Sequence, residues 1–215
     1  LYSSMLPATL RVEFDGSIMH TIAPSERLVS LWRHHYWNSP FNLHLARSRL
    51  SRWIASIKEV SSLVSPRVLF SNILLGHHGW PTKHRTGHGR EFPCPLCSCG
   101  ADMASHLIVC PFVKNALLSL GHDYYIDHRR EIFFLAVKDQ SKDDKVLAAL
   151  FVFGVYHLCN LIRHSRGGGS CTVSLLLDHI GEAAKDHPFS ASLWTKVLRA
   201  RRSSSAGVPS PAPPP

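Results

Sequence analysis

The sequence predicts a mainly α chain: a helical domain with a small N-terminal β-hairpin and one zinc knuckle. Three observations support this. Apolar residues recur at helical spacing through most of the chain, and alternation at spacing two is confined to the beginning. Ser-Pro pairs and a glycine run punctuate the helical stretches. Four of the six cysteines crowd into one stretch, FPCPLCSCGADMASHLIVC, spaced Cys94-x2-Cys97-x8-His106-x3-Cys110 with Cys99 between. With 45% hydrophobic and 18% charged residues over 215 positions, the composition is that of a folded chain and excludes a disordered one.

In chain order, Leu10 to Phe14 alternates apolar and polar, Asp15-Gly16 signals a turn, and Ile18, His20 and Ile22 resume the alternation, which predicts the hairpin. A helical pattern opens at Pro24-Ser25 and carries Leu28, Leu31, Trp32 and Tyr36. Ser39-Pro40 breaks it and opens a second helix toward Val64. Its apolar stripe of Leu43, Ala46, Leu50, Trp53, Ile54 and Ile57 leaves Arg47, Arg49, Arg52 and Lys58 largely on other faces. Ser65-Pro66 starts a third helix that ends near Gly76. Residues 76–93 form a cationic loop with four histidines, His77, His78, His84 and His88, and with Lys83, Arg85 and Arg90.

Beyond the loop, Asp102 is placed to cap a short helix presenting His106 and Cys110, and Pro111 opens another through Leu117. Residues 121–130 read as a polar connection, and Ile132 to Val137 as a short buried segment. Ser141-Lys142-Asp143-Asp144 opens the longest helix, from Lys145 to about His164, stopped by Gly167-Gly168-Gly169. Apolar nearly all round, it is expected at the centre of the core; its apolar run from Val146 to Tyr156 is shorter than the roughly 20 residues of a membrane span. Two more helices are expected over Val173–Lys185 and Ala191–Arg201, and residues 203–215 as a disordered tail. The resulting division is 1–75, hairpin and basic helices of thumb-like or connecting character; 76–202, loop, knuckle and helical C-terminal region; and 203–215.

Cys94 and Cys97 suit a turn that grips one edge of a metal ion, and His106 and Cys110, four apart on a helix, face the other edge. Three thiolates and an imidazole make a complete tetrahedral set for Zn2+ with no open position for water, so the expected role is structural. Cys99 is a fifth candidate that could exchange roles with Cys97; the two-residue spacing favours Cys97 and leaves Ser98, Cys99 and Gly100 to turn the chain. A disulfide pair or a redox Cys-x2-Cys motif are the alternatives. The sequence shows no secretory signal, which gives an intracellular expectation, nuclear or cytoplasmic, not secreted and with no membrane partner.

The formal net charge of +9 is concentrated in one segment. From Arg27 to Arg90 there are ten basic side chains and one acid, Glu59, while the rest of the chain holds fourteen of each sign. A basic block leading into a knuckle is the electrostatic footprint of polyanion binding, although a solvated helix surface has the same composition. On this reading Arg47, Arg49, Arg52, Lys83, His84, Arg85 and Arg90 contact phosphates of RNA or DNA. Trp80 either stacks on a base or pins the loop to the core.

The succession GHHGWPTKHRTGHGREFPCPLCSCGADMASHLIVCPF, followed by KVLAALFVFGVYHLCNLIRH, resembles the C-terminal zinc-knuckle region of non-long-terminal-repeat retrotransposon reverse transcriptases. The likeness covers roughly ninety residues, about 76 to 166. It implies that Cys94, Cys97, His106 and Cys110 hold zinc, that Lys83, His84, Arg85 and Arg90 approach nucleic acid, and that a reverse transcriptase domain lies upstream in the parent protein. The family's Tyr-x-Asp-Asp polymerase motif is missing from this sequence; Asp143-Asp144, its paired carboxylates, stand where a helix begins and suit capping. The sequence therefore carries no catalytic polymerase residues. A metal-dependent endonuclease using Asp178, Glu182 and Lys185, and a zinc-stapled protein-interaction module, are the alternative functions.

Overall fold

A computed structural model describes residues 26–32, 43–77, 79–82, 92–120, 133, 135, 141–165, 171–185 and 195. These form helices α1 (Glu26–Trp32), α2 (Leu43–Val60), α3 (Pro66–Gly76), α4 (Ala104–Val109), α5 (Pro111–Ser119), α6 (Lys142–His164) and α7 (Val173–Lys185). Among the described residues there is no strand, only one isolated antiparallel bridge between Pro93 and Ala101. The expected hairpin, the 121–130 connection, the glycine run, most of the 191–201 helix and the tail lie outside the described residues.

The centre of the fold is α6. Its first turn is fixed by Ser141, whose hydroxyl accepts the Asp144 N–H at 3.1 Å, and Asp143 and Asp144 there and Arg163 and His164 in the last turn match the helix dipole. Every side chain from Val146 to Val155 is buried, as are Leu158 and Cys159, because α2, α3 and α7 all pack against it. The helix is longer than its apolar run: by length and composition Lys142–His164 could cross a membrane, with a mean hydropathy of 1.8 over its best window, but 67% of that window is buried inside the protein. Most of its apolar surface faces the core, with Leu161 near its end exposed. Phe133 and Leu135, from the short segment expected to be buried, are fully covered, with Phe133 edge-on to Phe151 of α6.

Side-chain size sets how closely the helices approach. At the α6–α7 crossing, a Cβ on Gly154 would lie 2.8 Å from Ile180 and 3.0 Å from Leu176, so only glycine allows this separation without shifting them. Asn72 of α3, buried, donates to Val68 O of its own helix at 2.9 Å and to Ala149 O of α6 at 3.0 Å, which fixes the register between the two helices. Trp32 of α1 donates its Nε1–H to Gly76 O at 2.8 Å and packs on Trp53 of α2 with ring centroids 5.4 Å apart. One contiguous set of buried side chains runs from Leu28 to Ala184.

On α2, Ala46, Leu50, Trp53, Ile54, Ile57 and Val60 are buried, whereas Arg47, Ser48, Ser51, Ala55 and Lys58 are exposed, the amphipathic pattern the sequence predicts. The one acid of this segment, Glu59, is paired with Lys145 of α6 at 2.5 Å.

Candidate metal centre

The centre is built on a short loop closed by main-chain bonds. Cys94 N donates to Gly100 O at 2.6 Å, Asp102 N to Phe92 O at 2.8 Å and Ser98 N to Cys94 O at 2.9 Å, across the Pro93–Ala101 bridge. Ser98 takes the left-handed conformation, φ 56°, where the chain turns. Cys94 and Cys97 hang from this loop. The six residues of α4 then carry His106, and Cys110 follows one residue beyond the helix, at φ −56° and ψ 130°, as the N-cap of α5, where Pro111 takes the first position. The expectation that His106 and Cys110 share a helical face is therefore corrected: the joint between two helices presents the last cysteine.

The four donor atoms of Cys94, Cys97, His106 and Cys110 lie within 4.8 Å of one another, and Cys97 Sγ is 3.2 Å from His106 Nε2. Donors bound at about 2.0–2.3 Å around a tetrahedral ion stand roughly 3.5–3.8 Å apart, so an ion needs the widest pair to close by only about 1 Å and the Cys97–His106 pair to open slightly. This group can hold a metal ion, and it is the only such group of three or more His, Cys, Asp or Glu among the described residues. Gly100 makes room for the imidazole: a Cβ there would fall 2.2 Å from His106 Cε1 and 2.3 Å from Nδ1. Cys94 and Cys110 are buried, Cys97 and His106 half-buried, and Cys99 exposed with its thiol donating to Cys97 Sγ at 3.1 Å.

The thiols are electrostatically unequal. The hydrogen bond from Cys110 pulls Cys94 down to about 5 against the opposing effect of burial, and main-chain bonds from Leu96 and Cys97 help. The same bond, reinforced by burial, pushes Cys110 up, while burial and the Cys99 thiol push Cys97 up. A bound cation would displace the protons from these thiols. Two further cysteines feel the charge of this centre without belonging to it: Cys159, fully buried, and Cys171, which burial together with Cys94 and Cys97 pushes up to about 11.

The end of α6 holds the loop in place. Arg163 Nη2 and Nε bond the two carboxylate oxygens of Asp102 at 2.5 and 2.9 Å, and Nη1 bonds Asn160 Oδ1 at 3.0 Å. The ion pair is almost wholly buried, with side chains 5% and 1% exposed. Burial disfavours the Arg163 charge, yet the bonds to Asp102 outweigh it and raise the guanidinium above its ordinary value. The expected capping of α4 by Asp102 is corrected: Met103 takes the N-cap position, without a side-chain bond, and the carboxylate is committed to Arg163. Nothing local in the sequence marks this pair, whose members are 61 residues apart.

Comparison with protein-family models, curated proteins and solved structures gives no match for the chain.

The remaining predicted site residues divide into three groups. Lys83, His84, Arg85 and Arg90, with His78 and His88, lie outside the described residues. Arg47 is exposed on α2, and Arg49 and Arg52 are half-buried. The third group is Trp80 alone, for which the structure separates the two readings. The indole is 1% exposed, donates to Ser71 O at 2.8 Å and packs on Tyr156 with centroids 5.2 Å apart, so it fastens the start of the loop to α3 and α6 and offers no face to a base. His77 is half-buried against Trp53. Of the carboxylates weighed for an endonuclease, Glu182 pairs with Lys185 on the exposed side of α7, and neither it nor Asp178 belongs to a metal-holding group among the described residues.

Proposed function

We propose that this chain is a nucleic-acid-binding module whose Cys94, Cys97, His106 and Cys110 hold a structural Zn2+, of the kind implied by its resemblance to the zinc-knuckle region of non-long-terminal-repeat reverse transcriptases. Zinc is the ion these donors suit: soft thiolates select it over magnesium or calcium, and four protein ligands leave no position for a reacting water. Bound to these four residues, the ion would hold the loop that the Asp102–Arg163 pair ties to the core, and it would perform no chemistry on a substrate.

The observation that carries the binding half of this reading is the solvent face of α2. Arg47 and Lys58 are exposed on it, Arg49 and Arg52 lie half-buried towards its edges, and the only acid nearby in sequence, Glu59, already answers Lys145. A face of this kind attracts phosphodiester chains because each contact releases condensed counterions. RNA or DNA held there would be presented to a polymerase carried elsewhere in a parent protein.

Oligonucleotide affinity measured from low to moderate salt tests the reading. The wild-type chain should bind with a steep salt dependence, and R47A/K58A should flatten the log–log slope by about 1.8 on duplex, two contacts at about 0.9 each. Absence of binding at low salt, or a slope untouched by the double substitution, leaves the interaction-module alternative in its place.

A further inference from the structure

We propose that Cys97 and Cys99 are a dithiol that peroxide converts to a disulfide, withdrawing Cys97 from the metal centre; the metal half of this proposal rests on the zinc reading above. The thiol of Cys99 lies 3.1 Å from Cys97 Sγ, whereas a disulfide needs about 2.05 Å, so closure asks for a movement of about 1 Å. Ser98, in its left-handed turn, bends the chain between the two residues and brings their sulfurs together. Access differs sharply across the centre. Cys99 is exposed, Cys97 is half-buried, and Cys94 and Cys110 are buried. An accessible thiol beside a resolving cysteine is the arrangement found in oxidant-sensing sites. Nothing in the tetrahedral set of four requires Cys99, which leaves it available for this second chemistry.

The reaction balances with hydrogen peroxide as the oxidant. The Cys99 thiolate attacks the O–O bond, forming a sulfenic acid and releasing hydroxide, and the proton lost by Cys99 converts that hydroxide to water. The Cys97 sulfur, already a thiolate when it binds the ion, then attacks the sulfenic sulfur, forms the S–S bond and expels a second hydroxide. Two electrons pass from the sulfurs to the peroxide. The disulfide sulfur is a poor ligand, and the ion is left with Cys94, His106 and Cys110.

The test treats the zinc-loaded full chain with hydrogen peroxide, follows zinc release with a chelating dye, and maps the thiols by peptide mass spectrometry. Wild type should release its ion, yield a peptide in which Cys97 and Cys99 have together lost two hydrogens, and bind zinc again after reduction. C99S, an exchange at an exposed position, should release zinc at least about tenfold more slowly. Release from C99S at the wild-type rate, or a disulfide mapped to Cys94 and Cys110, overturns the proposal. A chain that takes up no zinc in the loading step sinks the metal reading alone. Peroxide-treated metal-free chain then decides the dithiol: a Cys97–Cys99 link supports it, and both thiols left intact overturn it.

Discussion

Gly100 sets a narrow tolerance at the metal centre, because a single added carbon would occupy the place of the His106 ring. G100A should therefore weaken zinc affinity by about 10–100-fold, as loss of a ligand-orienting neighbour does, although Gly100 supplies no donor. A competition titration against a chelating dye reads this directly, and an unchanged affinity would show that the imidazole has another way to seat. At Arg163 the cost falls on the fold. Removing one partner of a buried ion pair leaves the other charge stranded, so R163M should lose about 3–5 kcal/mol in urea unfolding. R163K keeps the charge but lacks the fork that reaches both Asp102 oxygens, and should recover only part of the loss. The ligand set was legible in the sequence because thiol spacing is a local property. The Asp102–Arg163 pair was not, because only the folded chain brings together residues 61 positions apart.

Among the helices, those with strong local signals were read best. The Ser65-Pro66 start of α3, the Ser141 cap of α6 and the full span of α7 all appear where the sequence puts them, since caps and amphipathic spacing are written within a turn or two. Trp80 had no periodic context in its loop, so nothing local decided between a stacking and an anchoring role; packing on Tyr156 decided it. The α6–α7 contact carries a pH dependence. His157 of α6 stacks on Phe153 and meets His179 of α7 edge-on, with ring centroids 4.7 Å apart; Arg67 of α3 and Asp178 are the charged groups that act on the pair. Burial first, then His179 and Arg67, hold His157 below its ordinary 6.5, and burial holds His179 below it despite Asp178. In the unfolded chain both rings take up protons near 6.5, before the folded ones do, so stability should be full above that pH and fall as pH drops below it. Urea midpoints at pH 7.5 and 5.5 measure the drop, and H157Q should make it smaller. A slope identical in H157Q and wild type would mean that other groups control it.

Across the whole molecule, a continuous core of described residues runs from α1 to α7 and Arg163 ties the knuckle into it, so an ion bound at the knuckle would be coupled to folding. Chelation should lower the thermal midpoint of the entire unfolding transition, because an ion present at about 1,000 times its dissociation constant adds about 4 kcal/mol to the folded state. A melt unchanged by chelator would place the knuckle outside the cooperative unit. The overall helical character and the central place of α6 were legible because a long helix that is apolar on nearly every side is shielded from water only when neighbours surround it. The order in which the chain is synthesised adds a consequence. All four donors leave the ribosome well before Arg163 does, so an ion taken up by a newly made knuckle would lack the Asp102–Arg163 clamp until the last turn of α6 emerges. Any metal captured by the nascent protein would then be held by its four donors alone, and would gain the support of the clamp only when synthesis has passed the far end of the central helix.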